Sequence, residues 1–101
     1  MYKILLCCKS GITTSMLVNN MKKEARNQDI NALIWAIAEN SIELSWGNAD
    51  CILVAPQNAG DLDKIKDLVD GAIPVDVIDR DCFVTMDGKA VLDQAMHLLN
   101  S

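Results

Sequence analysis

Residues 4–16 read Ile4-Leu5-Leu6-Cys7-Cys8-Lys9-Ser10-Gly11-Ile12-Thr13-Thr14-Ser15-Met16. Residues 3–8 are nearly continuous apolar, as in a strand covered on both faces. The run stops at two cysteines and passes into small polar residues with one glycine. From residue 13 to 27 the apolar positions Leu17, Met21 and Ala25 then recur every four, with Met16 alongside, which marks a helix face. Lys22, Lys23 and Arg26 fall in the last turns of that helix, where cations suit the dipole.

The rest of the chain repeats the alternation. Residues 30–38 read as a second strand, and Asn40 or Ser41 can cap a short helix that Gly47 ends. Residues 50–55 form a third strand, stopped by Pro56. Leu62, Ile65, Leu68 and Val69 make a helical stripe ending near Gly71, and Pro74 opens a fourth strand over 74–79. A loop holding Cys82 and Phe83 leads past Asp87-Gly88 to a last helix with Val91, Leu92, Ala95, Leu98 and Leu99 on one side. Strands alternating with helices through short connections predict one domain over 1–101, of α/β class, with a parallel sheet and helices on both faces. Ligands of such open sheets bind outside the carboxyl ends of the strands. Three loops meet there: 8–15, 55–60 and 79–87.

Composition narrows the function. The 101 residues are half apolar, enough for one core without staples. The formal charge of −5 argues against nucleic acid, whose binding is driven by neutralising phosphates, and against anionic lipid. Apolar runs are too short to span a bilayer, and Met1-Tyr2-Lys3 followed by a strand lacks a signal-peptide layout. A cytoplasmic protein with reduced thiols is expected. Cysteines 7, 8, 51 and 82 form no C-x-x-C pair, and with one histidine no metal or other cofactor is expected.

The first loop carries the chemistry. A helix start presents free backbone N–H groups and a partial positive charge, which together hold an anion without a cationic side chain. Gly11 lets successive amides converge, and Ser10, Thr13, Thr14 and Ser15 add hydroxyl donors. A thiol at the mouth of this cup is placed for nucleophilic phosphoryl transfer through a phosphocysteine. Strand alternation points Cys7 and Cys8 to opposite faces. Cys7 continues the apolar row into the core, and Cys8, last in the strand, is expected at the loop as the reacting thiol.

Cys8-Lys9-Ser10-Gly11-Ile12-Thr13-Thr14-Ser15 resembles the signature loop of IIB components of the bacterial sugar phosphotransferase system, in the lactose/cellobiose group (which includes diacetylchitobiose). Asn48-Ala49-Asp50 with the following strand and Pro56-Gln57, and the segment from Pro74 to Asp79 with Asp87-Gly88, resemble later stretches of the same family. The resemblance implies an open four-stranded parallel sheet of order 2-1-3-4 with a phosphatase-like loop after strand 1. It implies a phosphoryl carrier. Cys8 takes phosphate from a phosphohistidine on a IIA component, and Lys9, Ser10, Gly11, Ile12, Thr13, Thr14 and Ser15 cradle it. The phosphate then passes to a sugar bound by the membrane IIC component, a β-disaccharide such as cellobiose, lactose or diacetylchitobiose. Lys9 stands where relatives have a small residue, so it either meets the phosphate or faces solvent. Ala55 replaces a glycine. Phe83 replaces a tyrosine found in several relatives and is expected in an apolar docking rim. Gln57 either contacts the sugar or partner or caps the following helix.

Two rivals use the same thiol. Low-molecular-weight phosphatases need an arginine after five loop residues and a later Asp-Pro acid; here the arginine's place falls in Thr13-Thr14, and no Asp-Pro pair exists. A carrier must keep water from its phosphocysteine, so both omissions favour transfer. A redox protein would pair Cys8 with Cys82 on the same sheet edge. His97 shares a side of the last helix with Asp93 and Gln94, which reads as a solvated face. Trp35 and Trp46 read as packing.

Overall fold

The computed structural model describes residues 1–8, 11–38, 41, 42 and 46–100, with backbone only at 11–14 and 58. Strand β1 (Tyr2–Cys8) leads to helix α1 (Gly11–Asn27) and then β2 (Ala32–Ala38). After a 3₁₀ turn at Trp46–Asn48 come β3 (Cys51–Val54), a 3₁₀ segment (Pro56–Asp61) and α2 (Leu62–Val69). The chain closes with β4 (Val75–Val77), a short helix α3 (Arg80–Val84) and α4 (Gly88–Leu99). The strands are all parallel in the order β2-β1-β3-β4, as expected. The short helix expected between residue 40 and Gly47 lies largely outside the described residues.

β1 is central, and Ile4 to Cys8 are wholly buried because helices cover both faces. On one face Leu17, Met21 and Ala25 of α1 pack with Val91, Leu92 and Ala95 of α4 against Ile4, Leu6 and Cys8. On the other, Ile65 and Val69 of α2 pack with Trp35 and Trp46 against Leu5, Cys7 and Ile52. Both tryptophans therefore serve as packing.

The turns are set locally. α1 ends with Asp29 in the left-handed region (φ 55). The Asp29 N–H donates to the Arg26 carbonyl at 3.2 Å, and the Ile30 N–H to the Ala25 carbonyl at 2.8 Å. That is the paired closure of a Schellman motif, with Ile30 packed on the core behind it. α2 ends instead in two left-handed residues, Asp70 (φ 50) and Gly71 (φ 75), with the Asp70 N–H donating to the Lys66 carbonyl at 3.0 Å and the Asp67 carbonyl at 3.2 Å.

β4 is shorter than residues 74–79 suggested, and α4 secures it. Gln94 Nε2 donates to the Val77 carbonyl at 2.8 Å and to Asp76 Oδ2 at 3.1 Å. The expected loop around Cys82 is instead α3. Asp79 starts it by accepting from the backbone N–H of Asp81 (2.9 Å) and Cys82 (3.4 Å). One helical turn of five residues carries too little periodicity to read from sequence.

Candidate functional site

β1 hydrogen-bonds β2 on one side and β3 on the other, so the order of strands reverses beside it. The crevice at such a reversal is where open α/β sheets bind ligands. Cys8 ends β1 there and α1 opens at Gly11, with no acidic residue in its first turn. The opening N–H groups of that turn have no partner within the helix, and the dipole adds positive potential. Across the crevice the Ala55 N–H donates to the Cys7 carbonyl at 2.9 Å, which sets Pro56 and the exposed Gln57 beside the end of β1. One strand further, the Ile78 N–H donates to the Val54 carbonyl at 2.8 Å and brings Asp79 to the same edge. The three expected loops thus converge. Lys9 and Ser10 lie outside the described residues, and Gly11, Ile12, Thr13 and Thr14 are described by their backbone alone.

Cys7 and Cys8 divide between the faces as alternation requires. Cys7 joins the α2-side cluster, and Cys8 joins the α1–α4 side with Leu17, Ala55 and Phe83. The depth of Cys8 differs from the expectation of a thiol at an open mouth: it is 0% exposed. The reason is geometric. α1 starts three residues later and lies back over the face toward which Cys8 points. Phe83 also differs from expectation. It is 7% exposed and belongs to the core cluster, so its ring is not part of a docking rim. A helix at Arg80–Val84 turns that position inward, and Val84 is the exposed residue, at 69%. The signal available in sequence was Asp79, a good N-cap before a segment with apolar residues.

Two thiols away from this edge's reacting position, Cys51 and Cys82, are shifted toward the protonated form. Burial, then the Asp50 carboxylate, pushes Cys51 up to about 12. Burial raises Cys82 as well, followed by the charges of Asp79, Asp87 and Asp81 and a hydrogen bond to Asp79. A thiol kept from its thiolate form is a poor partner in disulfide exchange, which counts against the redox rival. His97 is exposed on α4, whose Leu98 and Leu99 line a hollow with Met1, Tyr2 and Pro74 at the amino ends of the strands. It stands toward the edge opposite Cys8. Among the described residues no cluster of His, Cys, Asp or Glu could hold a metal ion, and no helix is long and apolar enough to cross a membrane.

Residues 3–94 match the family model of the lactose/cellobiose-specific IIB subunit of the phosphotransferase system. The chain belongs to that family. This IIB chain is 37% identical to the oligo-β-mannoside-specific EIIB component of Bacillus subtilis, over 98% of its own length and 97% of the relative's. It is 30% identical to the cellobiose-specific EIIB component of Lactococcus lactis, over 96% and 95%. The solution structure of a cellobiose-specific IIB component from Borrelia burgdorferi superposes with a TM-score of 0.82 at 35% identity, covering 98% of this chain and 92% of that one. A lactose-specific IIB domain from Streptococcus pneumoniae shares the fold, with a TM-score of 0.86 at 17% identity and 96% of each chain covered. The activity is that of the family: a phosphotransferase carrying phosphoryl groups for sugar import.

Proposed function

We propose that Cys8 is the phosphocysteine of this IIB chain. Its Sγ attacks the phosphorus of a phosphohistidine on a IIA component; the P–N bond breaks and the imidazole leaves. A hydroxyl of a sugar held by the membrane IIC component then attacks the same phosphorus, breaking the S–P bond and restoring the thiol. The observation that carries this reading is the position of Cys8 at the strand reversal, three residues before the amino end of α1, whose first turn holds no acidic residue. Residues 9–15 supply the amides and hydroxyls that would hold the phosphoryl oxygens. Gln57, exposed across the crevice, fits a contact to sugar or partner. The sugar class is β-linked, in keeping with relatives named for oligo-β-mannoside and cellobiose. Partners on both sides of the transfer place the chain at the cytoplasmic side of the membrane.

Because Cys8 is buried, the groups over it have to part before the donor's phosphorus can reach Sγ. An arrangement without an arginine clamp also keeps water unactivated, so the phosphoryl group survives until the sugar arrives. The test is direct. Incubation with phosphorylated IIA component and mapping by mass spectrometry should place the label on Cys8, and Cys8→Ser should abolish onward transfer to sugar. Label on Cys82 or His97, or undiminished transfer in the variant, would overturn the assignment. Hydrolysis of p-nitrophenyl phosphate should stay near background.

A further inference from the structure

Charge is distributed unevenly along this chain. Residues 1–26 hold five cations, Lys3, Lys9, Lys22, Lys23 and Arg26, against Glu24 alone, a formal +4. The net −5 therefore leaves −9 on the remainder. The fold turns this into a spatial asymmetry. On α1 the buried positions Leu17, Val18, Met21 and Ala25 face the sheet. The opposite side of the helix exposes Met16, Asn19, Lys22, Lys23 and Arg26 as one continuous stripe. It begins one turn from the helix start beside Cys8, with Met16 57% exposed. Next to it a groove of about 220 Å³ runs between α1 and β2, lined by Ser15, Val18, Asn19, Lys22, Ile34 and Trp35. The other flanks of the working edge are of mixed charge and hold no comparable run of cations: Asp79, Asp81 and Asp87 stand with Arg80 and Lys89 around α3, and Asp63 and Asp67 with Lys64 and Lys66 on α2.

A protein that delivers a phosphoryl group brings an anion of charge near −2 to the crevice. The alternating charges around α3 and α2 largely offset one another, and the α1 stripe of Lys22, Lys23 and Arg26 attracts it. We propose that this stripe and its groove are the docking surface for the phosphohistidine donor, whose contact face is acidic around a small apolar patch that meets Met16. The proposal rests on Cys8 being the acceptor. Met16 supplies the apolar anchor at the centre of transfer, and the three cations supply attraction and orientation farther out.

The experiment is the rate of Cys8 labelling against concentration of the phosphorylated IIA component, in low and high salt. The triple reversal Lys22→Glu, Lys23→Glu, Arg26→Glu should raise KM for the donor by about tenfold or more, with kcat within about twofold. Wild-type kcat/KM should fall as salt rises from ~20 to ~200 mM, and the variant should lose that dependence. The neutral set Lys22→Gln, Lys23→Gln, Arg26→Gln should lie between, which keeps the test valid if the reversal unfolds. An unmoved KM with the wild-type salt slope in both variants overturns the docking surface while leaving Cys8 as acceptor. Absence of label on Cys8 in the wild type removes the reading beneath it, a separate result. Binding to phosphatidylglycerol vesicles through the same three residues, with donor KM unmoved, would assign the stripe to a membrane surface instead and overturn the proposal.

Discussion

Two cysteines adjacent in sequence end in different clusters, and a third, Cys51, has its thiol pushed up to about 12. Period-two alternation was enough to send Cys7 and Cys8 to opposite faces; it says nothing about how deep each lies. Depth depends on where α1 returns over the sheet, a tertiary property that no local pattern encodes. The same limit hid the burial of Phe83. At Cys82 the neighbours can be tested one charge at a time. Asp79→Asn keeps an oxygen to accept from the N–H groups of Asp81 and Cys82, so the cap of α3 survives. It removes one of the carboxylate charges that raise Cys82. Alkylation of Cys82 by iodoacetamide at pH 8, read by peptide mass, should quicken by about twofold or more. An unchanged rate would mean that the Asp79 charge does not help hold the proton.

Elements meet most tightly where α4 begins. A Cβ on Gly88 would come 2.5 Å from the Asn20 carbonyl carbon and 2.7 Å from the Met21 nitrogen, both backbone atoms of α1. Asn20 Nδ2 reinforces the contact by donating to the Met86 carbonyl at 2.9 Å. Gly88→Ala should therefore lower stability by about 1–3 kcal/mol in urea unfolding, since backbone cannot yield as a side chain can. Gly60→Ala, with nothing within 4 Å, should change it by less than about 0.5 kcal/mol. Equal effects at the two positions would refute the close approach. Strand and helix order was readable because both clusters are built from runs of matching period. α3 was not, because five residues make one turn and its only strong local signal is Asp79. β4 was overextended because Ile78 continues the apolar pattern past Val77, the last paired residue.

For the whole molecule, alkaline stability hinges on Cys51. Its thiol titrates near 9.0 when unfolded and near 12 when folded. Between those values the native chain keeps a proton that the unfolded chain has released. Stability is thus fully present below pH 9 and declines as pH rises toward 12. Cys82 is raised as well, so the diagnostic quantity is a difference. Cys51→Ala should cost about 1–2 kcal/mol at pH 7 for lost packing and then show a flatter decline above pH 9. Parallel curves for both proteins would rule out Cys51 as the cause.

α4 runs back across the sheet, so that Leu98 and Leu99 share a hollow with Met1 and Tyr2. Cys8 lies six strand residues from Tyr2, about 20 Å away. A dye, a bead or another folded body tethered through position 1 or 100 would hang from the floor of this molecule and leave its ceiling clear. Immobilised in that orientation, the chain would still present Met16 and the crevice at the start of α1 to whatever arrives from above.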